Sequence, residues 1–300
     1  MIESGNTDRE VRPGLELSVK RAEELLKGVM IPPQPTILVG VLNERSKPDP
    51  DLERIGDIIS EDVALAASML KVVNSPFFGL RRKIGSIHHA VRLLGIGNVV
   101  NIASGLMLKA AFSDHCGPFM ETFWKNSTRN AVVATMISRE TRISSTENAY
   151  AGGLFSDCGV PVLRRRFANY SELFAQAQME TGTTFTEFEE AEIGTNHAVV
   201  GYMMAHGWML PDLLAQGILQ HHDPVSDFQG SGKDADESTQ LQAILHTALH
   251  VCRLVDGLPA SSEWSELGES ILSFLGVDAS FLERMVSAVK GIPPEELIVG

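Results

Sequence analysis

The stretch that decides the fold is DLERIGDIISEDVALAASMLKVVNSPFFGL, residues 51–80. Its apolar residues recur at helical spacing in two consecutive segments, and an aspartate precedes each segment. Asp51 and Asp62 have the side-chain oxygen that a helix N-cap requires. The pattern therefore predicts two short amphipathic helices, each with one apolar face.

The second of these helices ends in a loop of unusual composition. Pro76 disfavours the helical conformation at Ser75, so the helix ends before it. Two adjacent phenylalanines follow, and aromatic side chains of this size usually pack against a core. We expect both rings to be mostly buried and the loop to serve as a structural and interaction motif. Its residues are Asn74, Ser75, Pro76, Phe77 and Phe78.

Helical signals continue along the whole chain, and no alternating strand pattern interrupts them. Ser86 stands where a further helix would begin, and Thr186 and Glu189 have the spacing of a capping box. His246 and His250 lie four residues apart, a spacing that usually marks a solvated helix face. The sequence therefore predicts an all-α, multi-helical fold.

Turn-forming segments suggest how these helices are divided. Residues 1–14 are polar and predict a flexible tail, and residues 15–112 predict a first helical subdomain. The segment SDHCGP, residues 113–118, marks the boundary, and residues 119–300 form a second helical subdomain packed on the first. Residues 227–238, DFQGSGKDADES, predict an exposed loop of low order.

Composition limits the classes of partner. The chain has 300 residues, 44% of them hydrophobic, and a formal charge of -13. Such an acidic chain is a poor match for nucleic acid or anionic lipid, and no apolar run reaches membrane-spanning length. Its three cysteines lack paired spacing, which favours reduced thiols. We expect a soluble, cytoplasmic protein that binds neither nucleic acid nor membrane.

Several motifs resemble those of the HDOD domain family, in the family's order. They are IPPQP at 31–35, ISEDVALAASMLKVVNSPFFG at 59–79, IGSIHHAVRLLGIGNVVNIASG at 84–105, HAVVGYMMAHGWMLP at 197–211 and LQHHDP at 219–224. The resemblance extends from about Leu25 to the end of the chain. It implies a fold whose second half is related to the HD-domain metal phosphohydrolases. It also implies a role in bacterial signalling, as a module for protein contacts.

The HD phosphohydrolases hold their metal with a His, a His-Asp pair and a later Asp, and this chain departs from that pattern. The resemblance places Asn126 at the first His, Ser156 and Asp157 at the His-Asp pair, and Leu249 or His250 at the later Asp. Only Asp157 is retained. An amide and a hydroxyl are poor substitutes for imidazole, so we expect no catalytic residue.

A degenerate metal site remains as a hypothesis. Asp157, His197, His221 and His222 are its candidate ligands. In one reading, His197 and His221 hydrogen-bond to backbone or to Asp157 in the vacated cavity. In the other, Asp157, His197 and one histidine of the pair keep a residual, non-catalytic transition metal. We expect no other cofactor.

These observations favour a non-catalytic bacterial regulatory module that acts through protein–protein interaction with signalling proteins. Two alternatives remain open. One is a divergent metal-dependent phosphohydrolase acting on nucleotides or cyclic dinucleotides. The other is a small-molecule sensor that uses the vacated cavity between the subdomains.

Overall fold

The computed structural model describes residues 15–29, 32–78, 80, 82–112, 117–223 and 228–292, except for the side chain of Phe77. Every regular element in these ranges is a helix, which confirms the predicted all-α fold. The helices are α1 Leu15–Leu25, α2 Thr36–Arg45, α3 Leu52–Ser60, α4 Val63–Val73, a 3₁₀ turn Pro76–Phe78, α5 Ile87–Leu94, α6 Ile96–Ala111, α7 Pro118–Thr141, α8 Thr146–Phe155, α9 Val160–Arg166, α10 Tyr170–Met179, α11 Phe185–Ile193, α12 His197–Gly207, α13 Asp212–Gln220, a 3₁₀ turn Gly232–Asp234, α14 Glu237–Val255, α15 Ser262–Leu275 and α16 Ala279–Lys290.

The predicted caps start α3, α4 and α5. The Asp51 carboxylate accepts a hydrogen bond from the backbone N–H of Glu53 at 2.9 Å, and Asp62 accepts one from Ala64 at 2.9 Å. The Ser86 hydroxyl caps α5 in the same way. Each cap satisfies backbone donors that the first turn of a helix leaves without a partner.

The capping box of α11 lies two residues earlier than predicted. Thr184 and Glu187 form it: the Thr184 N–H donates to Glu187 at 2.9 Å, and the Glu187 N–H donates to Thr184 Oγ1 at 3.2 Å. The assignment to Thr186 and Glu189 is wrong because both registers of the segment carry the same pattern. Glu189 is instead fully buried.

Most described residues of the loop predicted at 227–238 are exposed, as expected, and its low order remains a prediction. Phe228 is buried and packs edge-on against Phe274, with ring centroids 5.5 Å apart. The side-chain amide of Gln240 donates to the carbonyl of Gly232 at 2.8 Å. One aromatic residue therefore anchors a segment that composition alone assigns to solvent.

Nearly all buried apolar side chains of the described residues form one cluster that extends from Ala22 to Val289. The long helix α7 packs on α8 and α14, and α1 packs on α12. Helices from both predicted subdomains thus contribute to a common core, and the subdomain boundary itself remains a prediction. The predicted flexible tail, residues 1–14, lies outside the described residues.

Two glycines allow the turn after α8 to approach α12. A Cβ on Gly159 would lie 2.1 Å from the carbonyl oxygen of His197 and 2.8 Å from the nitrogen of Gly201. A Cβ on Gly201 would lie 3.0 Å from Cys158 Sγ. Side chains at these positions would force the backbones apart. This close approach brings Asp157 next to the first residue of α12.

No helix in the described part of the chain combines the length and the apolar character needed to cross a membrane. The expected cytoplasmic location remains a prediction.

Candidate functional site

The four side chains predicted as a degenerate metal site come together in the structure. Asp157 lies in the turn between α8 and α9, and His197 is the first residue of α12. His221 and His222 directly follow α13. One ligand-type atom from each residue lies within 4.8 Å of those of the other three. We call these four residues the His–Asp centre.

The contacts of the His–Asp centre converge on one carboxylate oxygen. Nε2 of His197 lies 3.3 Å from Asp157 Oδ1, and Nε2 of His221 lies 3.4 Å from the same atom. The two Nε2 atoms are 3.1 Å apart. Two imidazole lone pairs this close would repel each other, so a proton or a cation must lie between them.

Each imidazole of the centre is held at its Nδ1 by an acceptor outside the centre. A bound Nδ1–H fixes the tautomer and leaves the Nε2 lone pair available to a cation, as is usual for metal-binding histidines. The pairs are His197 with Glu189 at 2.6 Å, His221 with the carbonyl of Ile218 at 2.7 Å, and His222 with Glu263 at 3.0 Å.

Glu189 is the most firmly held of these acceptors. Its Oε2 also accepts the backbone N–H of His197 at 2.8 Å, and its Oε1 accepts the hydroxyl of Tyr170. Burial and the charge of Glu189 raise the pKa of Tyr170 well above its usual value, so Tyr170 stays a donor. Sequence reasoning missed the role of both residues and assigned Glu189 to a capping box, because nothing in the local pattern links Tyr170 or Glu189 to a histidine.

His197 carries the positive charge of the His–Asp centre. Burial opposes its protonation, but Glu189 and Asp157 outweigh burial and raise the pKa of His197 to about 10. Burial also opposes ionisation of Asp157, yet hydrogen bonds from His197 and His221 hold its pKa well below the usual range. Burial and the neighbouring His222 lower the pKa of His221 to about 4. Without a metal, therefore, a proton on His197 supplies the positive charge that the two carboxylates require.

The residues of the centre fit a transition-metal ion in this proton's place. Three imidazoles and one carboxylate are a donor set that zinc and similar ions prefer, and the outer hydrogen bonds keep the imidazoles oriented. Asp157, His197, His221 and His222 would hold the ion. It would supply a fixed positive charge and link the turn after α8 to α12 and α13.

The remaining positions of the HD pattern do not extend this centre. Asn126 and Leu249 line the adjoining cavity and offer no imidazole or carboxylate. Ser156 is fully buried, and its hydroxyl donates to the carbonyl of Gly153 at 3.3 Å. His250 stacks on an indole ring instead of facing the centre. We find no ligand set for a second metal among the described residues.

A cavity of about 250 Å³ adjoins the centre, and we call it the α7–α14 cavity. Asp157 and His222 form part of its wall, and α14 contributes His246 and His250. The expectation that these two histidines lie on a solvated face is wrong, since their exposed fractions are 5% and 6%. Helix spacing could not reveal this, because α15 covers the face they occupy.

Residues 74–78 form the loop after α4, which we call the NSPFF loop, and the side chain of its first residue, Asn74, closes it. The Asn74 side chain donates to the carbonyl of Ile84 at 2.8 Å and accepts the Ile84 N–H at 2.7 Å. It therefore pairs with the backbone as a neighbouring strand would. Ser75 donates its backbone N–H to the carbonyl of Val72 at 3.0 Å, which continues the last turn of α4.

The rest of this loop contacts α7 and α8. Phe78 is 7% exposed and packs against Tyr150, with ring centroids 5.8 Å apart. Arg139 donates to the carbonyl of Pro76 at 2.9 Å. The expected burial is thus found for Phe78, whereas the side chain of Phe77 lies outside the described residues. The loop connects α4 to the two helices that precede Asp157.

Two curated proteins are similar in sequence to this chain. An uncharacterized protein of Treponema pallidum (strain Nichols) is 24% identical over 255 residues, which are 83% of this chain and 47% of that protein. The uncharacterized protein YuxH of Bacillus subtilis (strain 168) is 39% identical over 59 residues, 20% of this chain and 14% of that protein. The chain therefore matches about half the length of the first relative and much less of the second.

Solved structures share the fold. An HDOD domain protein of unknown function from Geobacter sulfurreducens superposes with a TM-score of 0.63 at 25% identity, covering 92% of this chain and 98% of that one. A protein of Shewanella amazonensis SB2B, provisionally described as a phosphohydrolase, gives 0.62 at 18% identity, covering 95% and 96%. At that identity the second match shows the fold alone. The family model of the HDOD domain matches residues 31–224, most of the chain including the whole His–Asp centre, so this protein belongs to the HDOD domain family.

Proposed function

We propose that this protein is a non-catalytic regulatory module of bacterial signalling that acts by binding a protein partner. The observation that carries the proposal is the shape of the His–Asp centre. It has four candidate ligands, three of them imidazoles that are held by outer hydrogen bonds, and the described residues contain no further ligand set beside it. Membership in a family linked to signal transduction and to HD-like phosphohydrolases supports the regulatory part.

The number of ligands favours structure over catalysis. Structural zinc sites use four protein ligands, whereas catalytic sites keep a position open for water or substrate. A hydrolytic centre also needs a group that moves a proton at the reacting atom. Asn126 and Leu249 line the cavity at two positions where this chain departs from the HD pattern, and neither side chain can transfer a proton there.

A cation in this centre would act as a rigid link. It would join the turn after α8 to α12 and α13, and α12 in turn packs on α1. The NSPFF loop adds a second link, through Phe78 to Tyr150 on α8. Both devices fix the relative position of helices from the two halves of the chain. We propose that the partner recognises the surface held in this geometry.

Affinity capture from the native cells tests the proposal. The bait is the intact protein, compared with its Asp157→Ala and Phe78→Ala variants and with Leu93→Ala, which changes an exposed side chain. The proposal predicts one signalling protein retained by the wild type and by Leu93→Ala, then confirmed with the purified pair. Both of the other variants should bind it at least about tenfold more weakly. Equal binding by all four baits would contradict the proposed role of the internal geometry.

A further inference from the structure

Four side chains in the wall of the α7–α14 cavity have a buried polar atom that lacks a hydrogen-bond partner. Two are on α7, Nε of Arg129 and Oδ1 of Asn130, and two are on α14, Nε2 of His246 and Nδ1 of His250. Buried polar atoms in folded proteins nearly always have a partner, because a lone one is costly. Four such atoms beside the same cavity indicate that a partner from outside the protein completes the site.

The two imidazoles are uncharged. Burial lowers the pKa of His246 to about 3, and burial together with the nearby Arg253 lowers that of His250 to about 4. A neutral imidazole donates from one ring nitrogen and accepts at the other. The cavity therefore offers hydrogen bonds of either sense to a polar group on a ligand. The ring of His250 is fixed against Trp264, with ring centroids 4.1 Å apart and planes within 6°.

Arg253 gives the cavity a positive charge that no carboxylate neutralises directly. Its Nε donates to the carbonyl of Pro259 and its Nη2 to that of Gln178, both at 2.9 Å. Within the described residues it forms no ion pair, whereas Arg129 on the same wall pairs with Asp256 through two hydrogen bonds. A partly buried guanidinium of this kind favours an anionic group on a ligand.

Four carboxylates also line the cavity, and none of them forms an ion pair with Arg253. Asp157 contacts His197 and His221, Glu180 accepts the backbone N–H groups of Thr181 and Gly182, and Asp256 pairs with Arg129. Glu263 is engaged as well. It accepts the Nδ1–H of His222 at 3.0 Å and the backbone N–H of Phe185 at 3.2 Å. Its charge acts on Arg253 only at a distance. An anion that enters the cavity can therefore pair with Arg253 without displacing an existing ion pair.

Aromatic rings and volume limit the rest of the ligand. Four phenylalanines line the cavity, a surface suited to a flat apolar ring. Its volume of about 250 Å³ lies near the lower end of the range of about 300–1,000 Å³ typical of ligand pockets, which suits a small ligand. The four residues are Phe119, Phe123, Phe174 and Phe185.

We propose that the α7–α14 cavity binds a small organic anion built on a single aromatic ring. Its anionic group pairs with Arg253, its ring lies among the phenylalanines, and a polar substituent or ring atom bonds to His246 or His250. This inference rests on the proposed function only for the consequence of binding: the ligand would connect α7, α10 and α14 and so adjust the surface presented to the partner.

Titration calorimetry on the full, metal-free chain tests the inference with three acids: benzoate, 4-hydroxybenzoate and nicotinate. At least one should bind with one-to-one stoichiometry and a dissociation constant of about 1 mM or tighter, given the size of these molecules. 4-Hydroxybenzamide is the uncharged match for 4-hydroxybenzoate and should bind at least about tenfold more weakly. The absence of saturable binding by all three acids, or equal binding of the amide, would overturn the inference.

Two variants locate the site. Arg253→Gln removes the charge and should weaken binding of the acid about tenfold, and His250→Phe keeps a ring on Trp264 but removes the nitrogens and should weaken it about fivefold. His206→Gln, which changes an exposed histidine of α12 outside the cavity, should bind as the wild type does. If Arg253→Gln does not fold, the affinity of His250→Phe for the acid still tests the inference.

Wild-type affinity in every folded cavity variant would overturn the inference. A protein that captures its partner but binds none of the acids would contradict this inference alone and leave the proposed function intact.

Discussion

Glu189 binds His197 twice through a single oxygen: Oε2 lies 2.6 Å from Nδ1 and 2.8 Å from the backbone nitrogen. The carboxylate therefore fixes both the position of the residue and the rotation of its ring. It also supports the positive charge that this histidine carries when no metal is bound. The first effect orients Nε2 toward Asp157, and both effects depend on a residue outside the family motifs.

Glu189→Gln should lower metal affinity without unfolding the protein. The amide keeps the size of the side chain but accepts a weaker hydrogen bond from Nδ1, so the imidazole becomes a poorer and less oriented ligand. Loss of such outer partners typically costs about 10–100-fold in metal affinity. Competition for zinc with a chromophoric chelator measures the change.

Glu192→Gln is the matched control, because Glu192 is an exposed carboxylate close by on α11. It should leave zinc affinity unchanged. If Glu189→Gln also bound zinc as tightly as the wild type, the assignment of Glu189 as the orienting partner would be wrong.

Gly159→Ala should destabilise the fold and disrupt the His–Asp centre together. The added methyl would occupy space only 2.1 Å from the His197 carbonyl oxygen, and this neighbour is backbone that cannot rotate away. We expect a loss of about 1–3 kcal/mol in the free energy of unfolding, with less than one zinc bound per chain. Urea denaturation and metal analysis of the purified variant check both.

Gly207→Ala serves as the control for that substitution, since a Cβ there meets nothing within 4 Å. It should change stability by less than about 0.5 kcal/mol in either direction beyond its effect on the unfolded chain. Full zinc occupancy in Gly159→Ala would show that the close approach of the two backbones does not build the centre.

Phe78→Ala should cost about 3–5 kcal/mol of unfolding free energy, because the ring is buried against Tyr150 and truncation leaves a cavity. Urea denaturation measures this loss, and partner capture by the same variant should weaken with it. An exposed contact residue would behave differently, losing at least about 2 kcal/mol of binding energy at constant stability. If neither the free energy of unfolding nor partner capture changed, the loop would have no role in stability or in partner binding.

Local patterns were sufficient to predict most helices and their caps. Asp51, Asp62 and Ser86 cap the helices they precede, because a capping side chain acts within three residues of its own position. The same pattern failed where two registers competed, at Thr184 and Thr186. Only tertiary packing, which buries Glu189, decides between them.

The candidate site shows the same limit. The family resemblance identified Asp157, His197, His221 and His222, and the structure brings all four together. The carboxylates that hold His197 and His222 lie on other elements: Glu189 is on α11, and Glu263 is on α15. No sequence spacing relates these residues to the histidines, so their roles appear only in three dimensions.

Acidification below neutrality should destabilise the metal-free protein in part through His246. Its folded pKa is lowered to about 3 by burial, against an ordinary value of 6.5. Between these values the unfolded chain takes up a proton that the folded chain does not, so stability rises with pH over this window and is lost as pH falls. A histidine with a lowered pKa in the folded chain contributes up to about 1.4 kcal/mol per pH unit to the slope of the unfolding free energy against pH.

Urea denaturation of metal-free protein between pH 5 and pH 7 should therefore give a shallower pH dependence for His246→Phe than for the wild type. His206→Gln should keep the wild-type slope, because that side chain is exposed. An unchanged slope in His246→Phe would mean that His246 is not buried in the neutral form.

The most direct test of the central claim is turnover by the metal-loaded protein. Phosphate release from phosphomonoesters, nucleotides and cyclic dinucleotides should stay at background with zinc, manganese, iron or magnesium, since a cation held by all four side chains of the His–Asp centre would keep no position open for water or substrate. Turnover that is lost in both Asp157→Ala and His197→Ala would contradict the account, because a contaminating enzyme could not depend on those two side chains.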